Sequence, residues 1–115
     1  VKGRFLQPTP LLQVADRLGQ PTGMQPLVHQ GGLDHVETVI LVSGSGTGLL
    51  PKVDADLFVT GEPKHSIFHE TFERGLNVIY AGHYDTETFG VKALAAHLEA
   101  RFGLPWVFLD HPTGL

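Results

Sequence analysis

Apolar positions in this chain come in short, dense bursts, and they take up a helical period only near the end. The run Val36 to Val42 is β-branched and apolar and predicts a buried strand that leads into a glycine-rich turn. Two further compact runs, Leu57 to Thr60 and Leu76 to Ala81, predict strands closed by Gly61 and Gly82, and Trp106 to Leu109 predicts a last one. Between them a short helix is expected at about Leu49 to Val53, and another at His65 to Arg74 with Gly75 just past its end. A long helix is expected at Glu87 to Phe102, where Phe89, Val91, Leu94, Ala95, Leu98 and Phe102 recur at helical spacing and Gly103 follows as a stop. Residues 1–35 read differently, because four of the eight prolines fall there. Within them Thr9-Pro10 opens a short helix carrying Leu11, Leu12, Val14, Ala15 and Leu18, with Gly19 as its stop, and Gln25 to Gln30 predicts a short strand. This segment is either the leading part of the domain or a loosely attached arm, and residues 36–115 form the regular part. Strands alternating with helices predict an α/β layered domain with a mixed sheet, parallel where a helix intervenes.

Composition narrows the classes. A chain of 115 residues is long enough to bury one core. The absence of cysteine excludes disulfide scaffolds, thiolate zinc or iron–sulfur sites and thiol catalysis. Twelve acidic residues against eight basic ones give a net charge of −4, which argues against nucleic acid as a partner. No apolar run approaches the length of a membrane span. The start at Val1 has neither an initiator Met nor a signal-peptide core, so a cytoplasmic protein read from its middle is expected.

Three segments can carry chemistry. Gly44, Ser45, Gly46 and Gly48 form a glycine turn after a strand, which can either offer backbone N–H groups to an anion or simply turn the chain. Its spacing matches neither a P-loop nor a dinucleotide fingerprint. In Ala81-Gly82-His83-Tyr84-Asp85-Thr86-Glu87 a buried strand ends beside a His and a Glu four apart. If that stretch is already helical the two share a face and suit a divalent metal; the alternative is that Asp85 or Thr86 merely caps the helix. Thr60 to His69 also follows a strand and belongs on the same edge, with His65 and His69 four apart, but the metalloprotease H-E-x-x-H is absent because Ser66 stands where its Glu would be. His29, His35, His97 and His111 have no comparable company, no nucleophile elbow is present, and the only nearby acids are Glu62, Asp85 and Glu87.

Taken in order, Val42 to Gly46, Asp56 to Glu62, His69, Gly75-Leu76-Asn77, the Gly82-His83-x-x-Thr86-Glu87 motif and Asp110-His111-Pro112 resemble the GTP cyclohydrolase type 2 homologue, or Nif-three-like, family. The likeness spans nearly the whole chain, most specifically residues 39–112, with residues 1–35 similar to that family's mid-chain segment. It implies an α/β protein that assembles as a homohexamer and holds two divalent metals per subunit, zinc, iron, manganese or magnesium. It implies His83 as a terminal ligand and Glu87 as the bridge between the metals. His69, Thr60 and Gly61 are placed behind the ligands or against substrate, Gly44, Ser45 and Gly46 as anion contacts, and His65 drops out. The family's other ligands, a His-His pair and an Asp, come from an N-terminal half, and no His-His pair occurs here. The chain is therefore expected to be a C-terminal half that supplies two ligands. The function implied is a share in a dinuclear metal site, in either a hydrolase acting on a small molecule or nucleotide or a non-catalytic metal-binding scaffold or regulatory interaction partner.

Overall fold

A computed structural model of the chain describes residues 1–114. Its elements are, in order, β1 (Lys2–Pro10), α1 (Leu11–Gly19), β2 (Leu27–His29), β3 (His35–Leu41), a 3₁₀ turn (Thr47–Lys52), β4 (Leu57–Thr60), a second 3₁₀ turn (His65–Ile67) running into α2 (Phe68–Glu73), β5 (Asn77–Tyr80) and α3 (His83–Phe102). The five strands form one sheet in the order β1-β3-β4-β5-β2. β3, β4 and β5 are parallel, in the register Ile40 to Phe58 to Val78, while the outer strands β1 and β2 run antiparallel to β3 and β5. The α/β class and the mixed sheet are as expected.

Period-two alternation sends successive side chains of the central strands to opposite faces, so the sheet carries two cores. On one face Leu57, Val59 and Ile79 pack with Val36, Ala81 and the α1 residues Leu11, Val14 and Ala15. On the other, Phe58, Val78 and Tyr80 pack with Leu50 and Val53 from the first 3₁₀ turn and with Leu76. Both faces of β4 and β5 are buried, which is why these strands read as continuous apolar runs. Asp56 ties the start of β4 to β3, accepting hydrogen bonds from Glu37 N (3.0 Å), Thr38 N (2.8 Å) and Thr38 Oγ1 (2.8 Å).

Three features differ from the sequence expectation. The first is β1, which precedes α1 and pairs with β3 although Pro8 and Pro10 lie in it. It is an edge strand, where proline is tolerated, and its pairing shifts register between Arg4 and Thr9. The second is the run Trp106 to Leu109, which is no strand. It turns back at Gly103 and lies along α3: Trp106 Nε1 donates to Glu99, Lys92 Nζ sits 4.2 Å from the centre of the Phe108 ring, and Tyr84 Oη donates to Asp110 Oδ1. An aromatic and β-branched run becomes a strand only beside an edge that pairs with it, and α3 offers side chains instead. The third is α3 itself, which begins at His83 rather than Glu87 and buries only Thr86 and Thr88. Phe89, Val91, Leu94, Leu98 and Phe102 are exposed, so the helical spacing identified the helix but no layer among the described residues covers its apolar side. The radius of gyration of 15.2 Å, against about 13 Å for a compact domain of this length, reflects that projection.

Candidate functional site

Parallel pairing brings the carboxyl ends of β3, β4 and β5 to one edge of the sheet, where ligand sites of α/β folds form. Three turns meet there: the Gly44 loop after β3, Gly61-Glu62 after β4, and Gly82 leading into α3. Hydrogen bonds weld them together. Gly61 N donates to Gly44 O (2.9 Å), Thr60 Oγ1 donates to Gly44 O (3.2 Å) and accepts from Gly46 N (3.0 Å), and Gly44 N donates to Thr86 Oγ1 (2.9 Å). The Gly44 and Gly46 amides are thus committed within the fold instead of facing an anion. Thr86 spends its hydroxyl on this seam and on His83 O, and neither it nor Asp85 caps α3 by a side chain.

Helix start and glycine turn together set His83 and Glu87 in place. They sit one turn apart on α3, with His83 Nε2 3.4 Å from Glu87 Oε1. Gly44 lies against this pair at φ +63°, where a Cβ would stand 2.6 Å from Glu87 Oε1 and 3.1 Å from His83 Nε2. Gly61 packs under the same residues, where a Cβ would stand 2.6 Å from Gly44 O and 2.7 Å from His83 Cα. On the far side of the imidazole, His83 Nδ1 is 3.4 Å from Glu62 Oε2. The Ser45 hydroxyl, then the His83 ring, hydrogen-bonds the Glu62 carboxylate and holds its pKa below the ordinary range. His83 and Glu62 side chains are each 35% exposed and Glu87 is 57% exposed, so the pair opens to solvent from a partly sheltered base.

The donor types and their separation fit a divalent ion. Two ligands about 2.0–2.1 Å from one ion at a tetrahedral angle stand about 3.3 Å apart. They fit only part of a site, because catalytic zinc takes about three protein ligands, and among the described residues no group of three or more His, Asp or Glu is arranged to hold a metal.

The remaining candidates fall into two places. Thr60 and Gly61 lie at the seam just described, behind His83. His69 is on α2, exposed, with its ring edge-on to Phe68 at 5.4 Å between centroids. Phe68 stacks in turn on His29 at 4.1 Å. His65 lines a neighbouring cavity of about 330 Å³ with His29, Lys64 and Phe68. His29, which had no distinguishing company in the sequence, is the unforeseen member of this group. Thr71 Oγ1 lies 2.9 Å from its Nδ1 and donates its own proton to Phe68 O, so His29 Nδ1 is the donor, and burial lowers the pKa of the ring. Only the pairing of β2 with β5 beneath α2 creates that cluster. Glu62 was visible merely as a nearby acid; its position directly after a strand that ends on the same edge as His83 was the usable signal. A second cavity, of about 320 Å³, opens beside Gly61 and Gly82 between Met24, Leu27, Tyr80 and Tyr84.

The family model Duf34/NIF3 (NGG1p interacting factor 3) matches residues 1–113. A Deinococcus radiodurans protein called GTP cyclohydrolase 1 type 2 homolog is 49% identical over 118 residues, covering all of this chain and 45% of the relative. A Pyrococcus horikoshii protein of the same name is 39% identical, covering 98% of this chain and 46% of its own length. Among solved structures, TTHA1606 from Thermus thermophilus is 97% identical with a TM-score of 0.91, covering all of this chain and 48% of that one. The protein ybgI, described as of unknown function, is 30% identical with a TM-score of 0.84, over 97% of this chain and 47% of that one. The chain spans about half the length of the curated relatives it matches.

Proposed function

The chain belongs to the Duf34/NIF3 family, and from that premise we propose that it supplies His83 and Glu87 to a dinuclear divalent-metal site, completed in a protein of its relatives' length, that serves a hydrolase. The observation that carries this reading is the 3.4 Å approach of His83 Nε2 to Glu87 Oε1 beside a glycine that leaves the pair uncovered. His83 offers one lone pair from Nε2. Glu87 offers two carboxylate oxygens and a negative charge, which lets it span two ions, zinc, iron, manganese or magnesium. Thr86 bonds the Gly44 amide and thereby fixes the height of the α3 N-terminus against the glycine loop. Bound divalent ions supply Lewis acidity and a water acidified enough to attack near neutral pH. The relatives' name points to a nucleotide as the substrate class, and the cavity of about 320 Å³ beside Gly61 and Gly82 falls at the small end of ligand pockets. The family resemblance adds a homohexameric assembly in the cytoplasm.

The second reading is a non-catalytic metal-binding scaffold or regulatory partner, which would use the same His83 and Glu87 pair. A polypeptide of the relatives' length carrying this segment, loaded with defined metals and assayed against nucleotides and phosphoesters, separates the two. Metal analysis is expected to show two ions per subunit, with metal and turnover both lost in Glu87→Ala. Two bound ions without turnover on any substrate select the scaffold. Full metal retention in both His83→Ala and Glu87→Ala refutes the site altogether.

A further inference from the structure

We propose that Glu62 is the positioning residue of the site: its carboxylate accepts the His83 Nδ1 proton and so presents Nε2 as a lone pair toward Glu87. The inference rests on the metal-ligand reading of His83. An imidazole that binds a metal through one nitrogen carries its proton on the other, and a carboxylate at that second nitrogen fixes both tautomer and ring orientation. Here the ring stands between two carboxylates at equal distance, Glu62 Oε2 at Nδ1 and Glu87 Oε1 at Nε2, each 3.4 Å away. Distance alone therefore does not choose the tautomer.

The surroundings of the two acids do choose. Glu62 follows Gly61, whose backbone is wedged so closely against Gly44 O and His83 Cα that no side chain fits. That wedge holds the Glu62 backbone beside the imidazole. Ser45, in the glycine loop, helps to keep the same carboxylate ionised. Glu87 has no such brace among the described residues; its ion-pair contact is His83 itself, and its side chain is the more exposed, at 57% against 35%. The fixed acid takes the proton and the free one is left to share a cation with Nε2. Glu62, Ser45 and Gly61 thus act as one device that aims the ring, and Glu62 reaches the metal only through His83.

The test uses a polypeptide of the relatives' length carrying this segment, labelled with ¹⁵N-histidine, metal-free and well above the imidazole pKa, with Co²⁺ as the probe ion. Ring ¹⁵N spectra are expected to show His83 protonated at Nδ1 in the wild type and to lose that preference in Glu62→Ala. Glu62→Gln keeps an acceptor oxygen and is expected to restore the tautomer, and Ser45→Ala to weaken it. Co²⁺ affinity, read from its visible absorption, is expected to fall by about 10- to 100-fold in Glu62→Ala and by less in Glu62→Gln. A ring that stays Nδ1-protonated in folded Glu62→Ala overturns the proposal whatever Co²⁺ does. So does wild-type Co²⁺ affinity in that variant. If the tautomer responds to Glu62 but no variant binds Co²⁺, wild type included, the positioning role stands and the metal reading is what fails. Should Glu62→Ala not fold, Glu62→Gln and Ser45→Ala decide by the same two readouts.

Discussion

Gly44→Ala is expected to separate the chemistry of the site from the stability of the fold. Gly44 occupies the left-handed region at φ +63°, where an L side chain costs about 1–2 kcal/mol. The new methyl would stand 2.6 Å from Glu87 Oε1, but that atom is the end of a flexible side chain, 57% exposed, and it swings away at little cost. The expected loss is therefore about 1–2 kcal/mol, a fall in Tm of roughly 4–8 °C, together with loss of the close Nε2–Oε1 pair. Gly61→Ala is the informative contrast. Its methyl would meet Gly44 O at 2.6 Å and His83 Cα at 2.7 Å, both main chain, so the loop after β3 and the start of α3 must move. Overpacking of that kind costs about 3 kcal/mol. Urea titration followed by circular dichroism, with Co²⁺ absorption on the same samples, measures both effects. Equal destabilisation by the two substitutions, or wild-type Co²⁺ affinity in Gly44→Ala, would refute the placement of Gly44 between fold and site.

Other expectations follow from single contacts. Thr60→Val removes a buried hydroxyl that accepts from Gly46 N and donates to Gly44 O, and it should cost about 1–3 kcal/mol in urea, while Thr60→Ser should recover most of it; an unchanged midpoint for Val would show that the seam is dispensable. Phe58→Ala empties the centre of the second core, where Phe58 is fully buried, and should cost about 3–5 kcal/mol; a loss below about 1 kcal/mol would mean the site collapses freely. Asp56 has its pKa lowered, first by the Thr38 amide, so its stabilisation is present above the unfolded carboxylate value of about pH 4 and is lost as pH falls through the lower folded value. Acid unfolding of Asp56→Asn should therefore show a shallower loss than wild type below about pH 4, and parallel curves would disprove the linkage.

What was legible in the chain was local. β4 and β5, buried on both faces, announced themselves as apolar runs, and their turns were marked by Gly61 and Gly82. Helical spacing placed α1 and α3, although the side chains that revealed α3 face solvent in this chain. β1 was hidden because an edge strand with prolines and a register shift has almost no pattern of its own; its pairing with β3 defines it. Trp106 to Leu109 had the composition of a strand and no edge to join.

The candidate site divides along the same line. The sequence by itself determined that His83 and Glu87 would share one helical face once α3 began at His83, because a spacing of four is a property of the helix. It also determined that glycines would stand at the strand ends. Only the tertiary structure decided that Gly44 would sit against both donor atoms, that Thr60 and Thr86 would consume the glycine-loop amides, and that Glu62 would find the second nitrogen of His83. Those contacts join residues separated by 14 to 43 positions, and they exist because parallel pairing of β3, β4 and β5 brings three strand ends to one edge. Periodicity is written within a few residues and can be read there; register between distant strands is set by the packing of two cores, which no short window contains.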